Sequence, residues 1–314
     1  MAKVARVAGR ALLLYVVLGL PAIWLDRVVG SGAGLPLLNG VILFGALYSK
    51  LGFTRWAGVS VLGAAAVFLS ATFAGQALPL ALVLGGAAVI AGLGSRWGHQ
   101  MSLIVVPLNA AVLSQNPVDL SAGQRSSLLL IGSVYGAIAL TLLRVKPTPK
   151  APPIPERAAI VFAIMFGLVV GIGTYVVTRI DLAHGYWLAV TFIAVMQPTF
   201  ADSTTKTFQR VIGTIVGAGA ALVLGEVISD GLSGAIGFAF LIAWSVLTLG
   251  DWIRNALLTI GVLLIVGGTT DLAATAEVRL VFTLVGGAIV LGVSYLIPYV
   301  VNLVARAEGS PSSV

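Results

Sequence analysis

Residues 158–178 read AAIVFAIMFGLVVGIGTYVVT, a run without one charged side chain. At about 1.5 Å of rise per helical residue, such a run reaches across the roughly 30 Å hydrocarbon core of a bilayer. Its apolar residues are continuous rather than alternating, which excludes a strand of a transmembrane barrel. Working outward, eleven similar runs follow at about 11–29, 34–49, 56–74, 77–94, 100–115 and 126–143 in the first half, and about 186–200, 209–227, 233–249, 252–269 and 279–303 in the second. The spacing predicts an all-α membrane protein of about twelve transmembrane helices. One or two of the shorter runs are expected to be re-entrant or broken.

The composition agrees. Of 314 residues, 59% are hydrophobic and 9% are charged, and the mean hydropathy is +1.06. A soluble domain carries about 25% charged residues, so a soluble enzyme, a nucleic-acid-binding domain and a disordered chain are excluded. The absence of cysteine removes disulfides, thiolate metal sites and cysteine nucleophiles. The 11 acidic residues and two histidines, His99 and His184, form no paired-carboxylate or metal-spacing cluster. No glycine cluster makes a nucleotide fingerprint. The expectation is a protein that is not an enzyme and takes no cofactor, metal or nucleic acid. Lys3, Arg6 and Arg10 precede the first apolar run, which passes ten residues without a small-x-small cleavage site; it reads as a span rather than a secretory signal.

The basic residues set an orientation. With the N-terminus in the cytoplasm, the inner set holds Lys3, Arg6, Arg10, Lys50, Arg55, Arg96, Arg144, Lys146, Lys150, Arg157, Lys206, Arg210, Arg254 and Arg306. The outer set holds Arg27, Arg125, Arg179 and Arg279. Fourteen against four is the bias that inner loops carry, and it predicts both termini in the cytoplasm. The proline-rich stretch 144–157 is the only long polar connection and divides the chain. The domains expected are a first six-helix unit at 1–143, a cytoplasmic linker at 144–157, a second six-helix unit at 158–305 and a flexible tail at 306–314.

The two halves resemble each other. Phe53, Arg55 and Gly58 match Phe208, Arg210 and Gly213 at an offset of 155; Leu93-Gly94-Ser95 matches Leu249-Gly250-Asp251 at 156; Ile131-Gly132 falls against Val285-Gly286 at 154. We read a tandem duplication of a six-helix unit, with the first copy degenerate. An even number of spans gives both copies one orientation, and transport sites commonly form between such halves.

One stretch is distinctive. It runs Tyr186-Trp187-Leu-Ala-Val-Thr191-Phe-Ile-Ala-Val-Met-Gln197-Pro198-Thr199-Phe200, then Lys206-Thr-Phe208-Gln-Arg210-Val-Ile-Gly213-Thr214-Ile-Val-Gly217. It resembles the FUSC-type inner-membrane proteins, the fusaric-acid-resistance and aromatic-acid-exporter group: a Tyr-Trp opens one span, a polar-proline step ends it, and Arg-x-x-Gly-Thr-x-x-Gly opens the next. The plant malate channels are similar, with one six-helix unit per chain. The resemblance implies a bacterial inner-membrane protein that expels organic acids, and it leaves a periplasmic adaptor and a homodimer open as partners. Longer members carry a sizeable cytoplasmic domain for which this chain leaves little room.

Arg210 and Arg55 are the expected anion-binding pair, because a guanidinium fork suits a carboxylate and the repeat would bring both to the cytoplasmic mouth. Either could instead be an ordinary inner-end arginine. Gln197 and Pro198 mark a helix break that either lines a cavity or simply stops a helix. Asn39 and Thr191 complete the candidate substrate-binding set, although Asn39 could equally bond a neighbouring helix. Asp251, Arg254, Arg96 and His99 are candidates for proton coupling or for ion pairing, Asp251 with Arg254 at helical spacing. Asp26-Arg27 reads as an interface pair, and Tyr186, Trp187 and His184 as an interfacial belt. The Gly213/Gly217, Gly167/Gly171 and Gly132/Gly136 pairs, with Gly58, read as packing faces.

Three functions remain open: a proton-coupled exporter of organic, chiefly aromatic, acid anions; a passive anion channel; and a non-transporting scaffold for envelope assembly.

Overall fold

The computed structural model describes residues 13, 15–29, 32–115, 120–143, 152–182, 184–246, 249–268 and 271–307. The expected tail beyond 307, most of the linker, and Lys3, Arg6 and Arg10 lie outside them. Among the described residues there is no strand. The helices are α1 (Leu20–Val29), α2 (Gly34–Asn39, running on as a wide turn to Phe44), α3 (Tyr48–Leu51), α4 (Phe53–Thr72), α5 (Ala77–Leu93), α6 (Gln100–Leu103), α7 (Val105–Gln115), α8 (Ala122–Leu142), α9 (Glu156–Arg179), α10 (Tyr186–Val195), α11 (Phe200–Val227), α12 (Asp230–Val246), α13 (Asp251–Val266) and α14 (Leu272–Ala307).

Among the described residues, six helical stretches are long and apolar enough to cross a membrane: Phe53–Thr72, Ala77–Trp97, Ala122–Leu142, Glu156–Arg179, Phe200–Val227 and Leu272–Leu303. Gly34–Phe44, Val105–Ser114, Tyr186–Val195 and Gly231–Trp244 are apolar but shorter. Six of the twelve runs expected from the sequence reach that length as helices among the described residues. The ten residues of α10 rise only about 15 Å, because Pro198 follows directly and cannot extend the helix. The architecture is that of a multi-pass membrane protein.

The chain forms two compact units. Unit one takes 1–64, 116–147 and 209–281; unit two takes 65–115, 148–208 and 282–314. These units do not coincide with the sequence halves, since each draws on both. Glycines set the packing inside each. In unit one, Gly132 and Gly136 of α8 press on the backbone of Leu37 and Val41, and Gly40 presses back on Leu129. In unit two, a Cβ on Gly85 of α5 would lie 2.9 Å from the Gly167 carbonyl of α9, and one on Gly92 would lie 2.6 Å from Ala163 Cα. The small-residue pairs Gly132/Gly136 and Gly167/Gly171 thus pack helices, as expected. Gly58 does not: it is exposed, with open space around it.

Local capping explains two helix starts. Ser121 and Gln124 form a reciprocal capping box on α8. Asp26 Oδ1 accepts the Gly32 and Gly34 amides at 2.8 and 3.2 Å, so this carboxylate fixes the α1–α2 turn rather than serving the expected Asp26–Arg27 pair.

Candidate functional site

Helix α11 is polar on its buried face and apolar outside, the inverse of a soluble helix. Ser203, Thr207, Arg210, Thr214 and Gly217 are buried at steps of four, three, four and three, one stripe of a 3.6-residue period. Phe208, Ile212, Ile215, Val223 and Val227 are exposed, as a lipid-facing surface requires.

In unit one this stripe meets α13. A Cβ on Gly213 would lie 2.5 Å from Asn255 Cβ, and one on Gly217 would lie 2.6 Å from the Ala256 carbonyl. The two glycines let α13 come close and set its polar residues against Arg210. Arg210 is 4% exposed. Its Nη1 donates to Asn255 Oδ1 at 3.3 Å, a long bond. Its Nε and Thr214 Oγ1 are buried without a partner among the described residues, and no carboxylate there pairs with it. One helical turn along α13, Thr259 Oγ1 accepts from Arg279 Nη2 at 3.4 Å. Arg279 is 1% exposed, among the largest fully buried side chains. Two buried guanidiniums thus reach adjacent turns of one helix.

Unit two holds the helix break. Met196 leaves the helical conformation at ψ 122°. The Ser203 hydroxyl then closes the step: it accepts from the Gln197 amide at 2.9 Å and donates to the Gln197 carbonyl at 3.1 Å. Ser294 of α14 donates to it at 2.9 Å. Thr199 and Asp202 close the next turn, with Asp202 N donating to Thr199 Oγ1 at 3.1 Å. The Gln197 side-chain Nε2 remains buried without an acceptor among the described residues. Ser203→Ala strips the break of its closure and leaves the Gln197 backbone groups unsatisfied. It should cost about 1–3 kcal/mol, read as a lower melting temperature in detergent, whereas Ser294→Ala should cost less.

The other candidates separate. Arg55 is exposed in the first turn of α4, so it does not share the buried environment of Arg210. Thr191 spends its hydroxyl on the Trp187 carbonyl at 2.8 Å, and its methyl packs where Gly286 leaves room; it is a packing residue. Asn39 is half-buried at the end of α2. Arg254 Nε donates to the Trp244 carbonyl at 3.3 Å and lies over that ring. Arg96 pairs with Glu156 at 2.6 Å. That pair is half-exposed, so it contributes little. His99 is half-buried at the turn before α6. Tyr186 and Trp187 are buried with ring centroids 4.6 Å apart, not set out as an interfacial belt.

Arg279 was missed because a lone arginine near a helix start reads as an outer-loop charge. Arg125, counted with it, is likewise buried, in α8. The signal lay in the spacing: Arg125 and Arg279 stand at an offset of 154, the same as Gly132 and Gly286.

A family model described as fusaric acid resistance protein-like matches residues 170–293. The matched stretch, less than half of the chain, is similar to that family. It runs from within α9 into α14 and takes in Gln197, Arg210, Asn255, Thr259 and Arg279. Comparison with curated proteins and with solved structures found no match.

Proposed function

We propose that this chain is a secondary transporter that exports organic, chiefly aromatic, carboxylate anions across a bacterial inner membrane, coupled to protons, with both termini in the cytoplasm. The observation that carries it is Arg210: a buried cation held, among the described residues, by one long bond to Asn255, with a donor unspent. A charge inside a membrane protein is costly, by about 3 kcal/mol on insertion scales, and it persists where a function needs it. A carboxylate fits the guanidinium fork, and Arg279 one turn away along α13 gives the anion a second positive station.

The tandem duplication is supported by the composition of the units. Shifted by 155, the segments 1–64, 65–115 and 116–147 become 156–219, 220–270 and 271–302. The first and third then fall mainly in unit two and the second in unit one, the exchange a duplicated chain produces.

Everted vesicles supplied from outside with benzoate-type acids test the function. Acid flux that follows an imposed pH gradient is the expected result. A conductance whose reversal potential ignores the proton gradient would establish the passive channel instead. No flux from folded protein would leave the scaffold.

A further inference from the structure

Unit one carries an open groove of about 390 Å³ between the α3–α4 corner and the last turns of α8. Tyr48, Phe53 and Trp56 form one wall, and Val134, Ile138 and Leu142 stand on the other. Two of its polar groups are spent: Trp56 Nε1 donates to the Phe44 carbonyl at 3.1 Å, and Thr141 Oγ1 to the Ala137 carbonyl at 2.6 Å. The lining is therefore apolar and suits a hydrocarbon chain, not a carboxylate. From Val134 to Leu142 the wall runs about 12 Å, the length of part of an acyl chain.

A cation stands beside the groove, outside its lining. Arg55, exposed, sits in the first turn of α4 between the lining residues Phe53 and Trp56. The first-turn amides of a helix add positive potential at the same place.

We propose that this groove binds an anionic phospholipid, one acyl chain along the aromatic wall and the phosphate at Arg55. Charge complementarity selects this occupant: an exposed cation, Arg55, flanks the apolar groove in the helix turn that carries Phe53 and Trp56. It also gives Arg55 a role separate from that of its repeat counterpart Arg210, and it is independent of any transport activity.

Native mass spectrometry of the full chain, released from micelles doped with equal phosphatidylglycerol and phosphatidylcholine, tests it. Phosphatidylglycerol adducts should dominate. Arg55→Gln should cut that preference about fivefold. Ile138→Trp, at an exposed lining position, should remove adducts of both lipids by filling the groove. Equal retention of the two lipids, adducts unchanged in both variants, or a dimer of the chain displacing lipid would each overturn the proposal.

Discussion

Arg210→Gln should reduce acid flux about 100-fold while leaving the protein at least as stable as before. Two charge-assisted hydrogen bonds to a carboxylate are worth roughly 3 kcal/mol together, which corresponds to about two decades in affinity or rate. The stability half of the expectation separates this reading from a structural one. Arg210 has no carboxylate partner among the described residues and a single 3.3 Å bond to Asn255. Replacing an uncompensated buried charge by a neutral amide relieves desolvation. A structural arginine would behave oppositely, with the melting temperature and the flux falling together. Arg210→Lys keeps the charge but loses the fork, so it should retain an intermediate flux. Transport assays and thermal unfolding on the same preparations check all three outcomes.

Gly132→Leu should abolish folded protein. A Cβ there meets the Leu37 carbonyl and the Val41 amide, which are backbone and cannot rotate away. The same helix pair is pinned again at Gly136 and, from the other side, at Gly40. Overpacking a core typically costs about 1–3 kcal/mol; here relief would require separating α2 from α8, so the cost should exceed that range. The expected observation is loss of the monodisperse peak in size-exclusion chromatography. Gly58→Leu is the control. Nothing lies near that position, so its elution and melting should match the parent.

The contrast between Gly58 and Gly213 shows what the sequence could and could not reveal. The two glycines match within a shared Phe-x-Arg-x-x-Gly pattern, as do Arg55 and Arg210. In the first copy, Gly52 at φ +73° ends α3, and α4 starts at Phe53. Its counterpart Phe208 lies two turns inside α11. At the helix start Arg55 and Gly58 are exposed, while in mid-helix Arg210 and Gly213 are buried. Letters alone do not record where a helix begins. The helical class, the break at Gln197-Pro198 and the three glycine pairs were legible because periodicity, proline and small-residue spacing act locally. Asn255 and Thr259 as partners of the two arginines were not, because that meeting depends on the tertiary approach which Gly213 and Gly217 permit.

Helices α4, α11 and α14 each begin in one compact unit and end in the other. This places an order on synthesis. The glycine face of α5 closes on α9, which the ribosome makes some seventy residues later. Until then a nascent chain holds α5 in the bilayer with Gly85 and Gly92 against lipid or a chaperone rather than against their partner. The α2–α8 contact, by contrast, can form as soon as residue 143 has emerged. Assembly of the first half is thus provisional, and the second half completes it as well as itself.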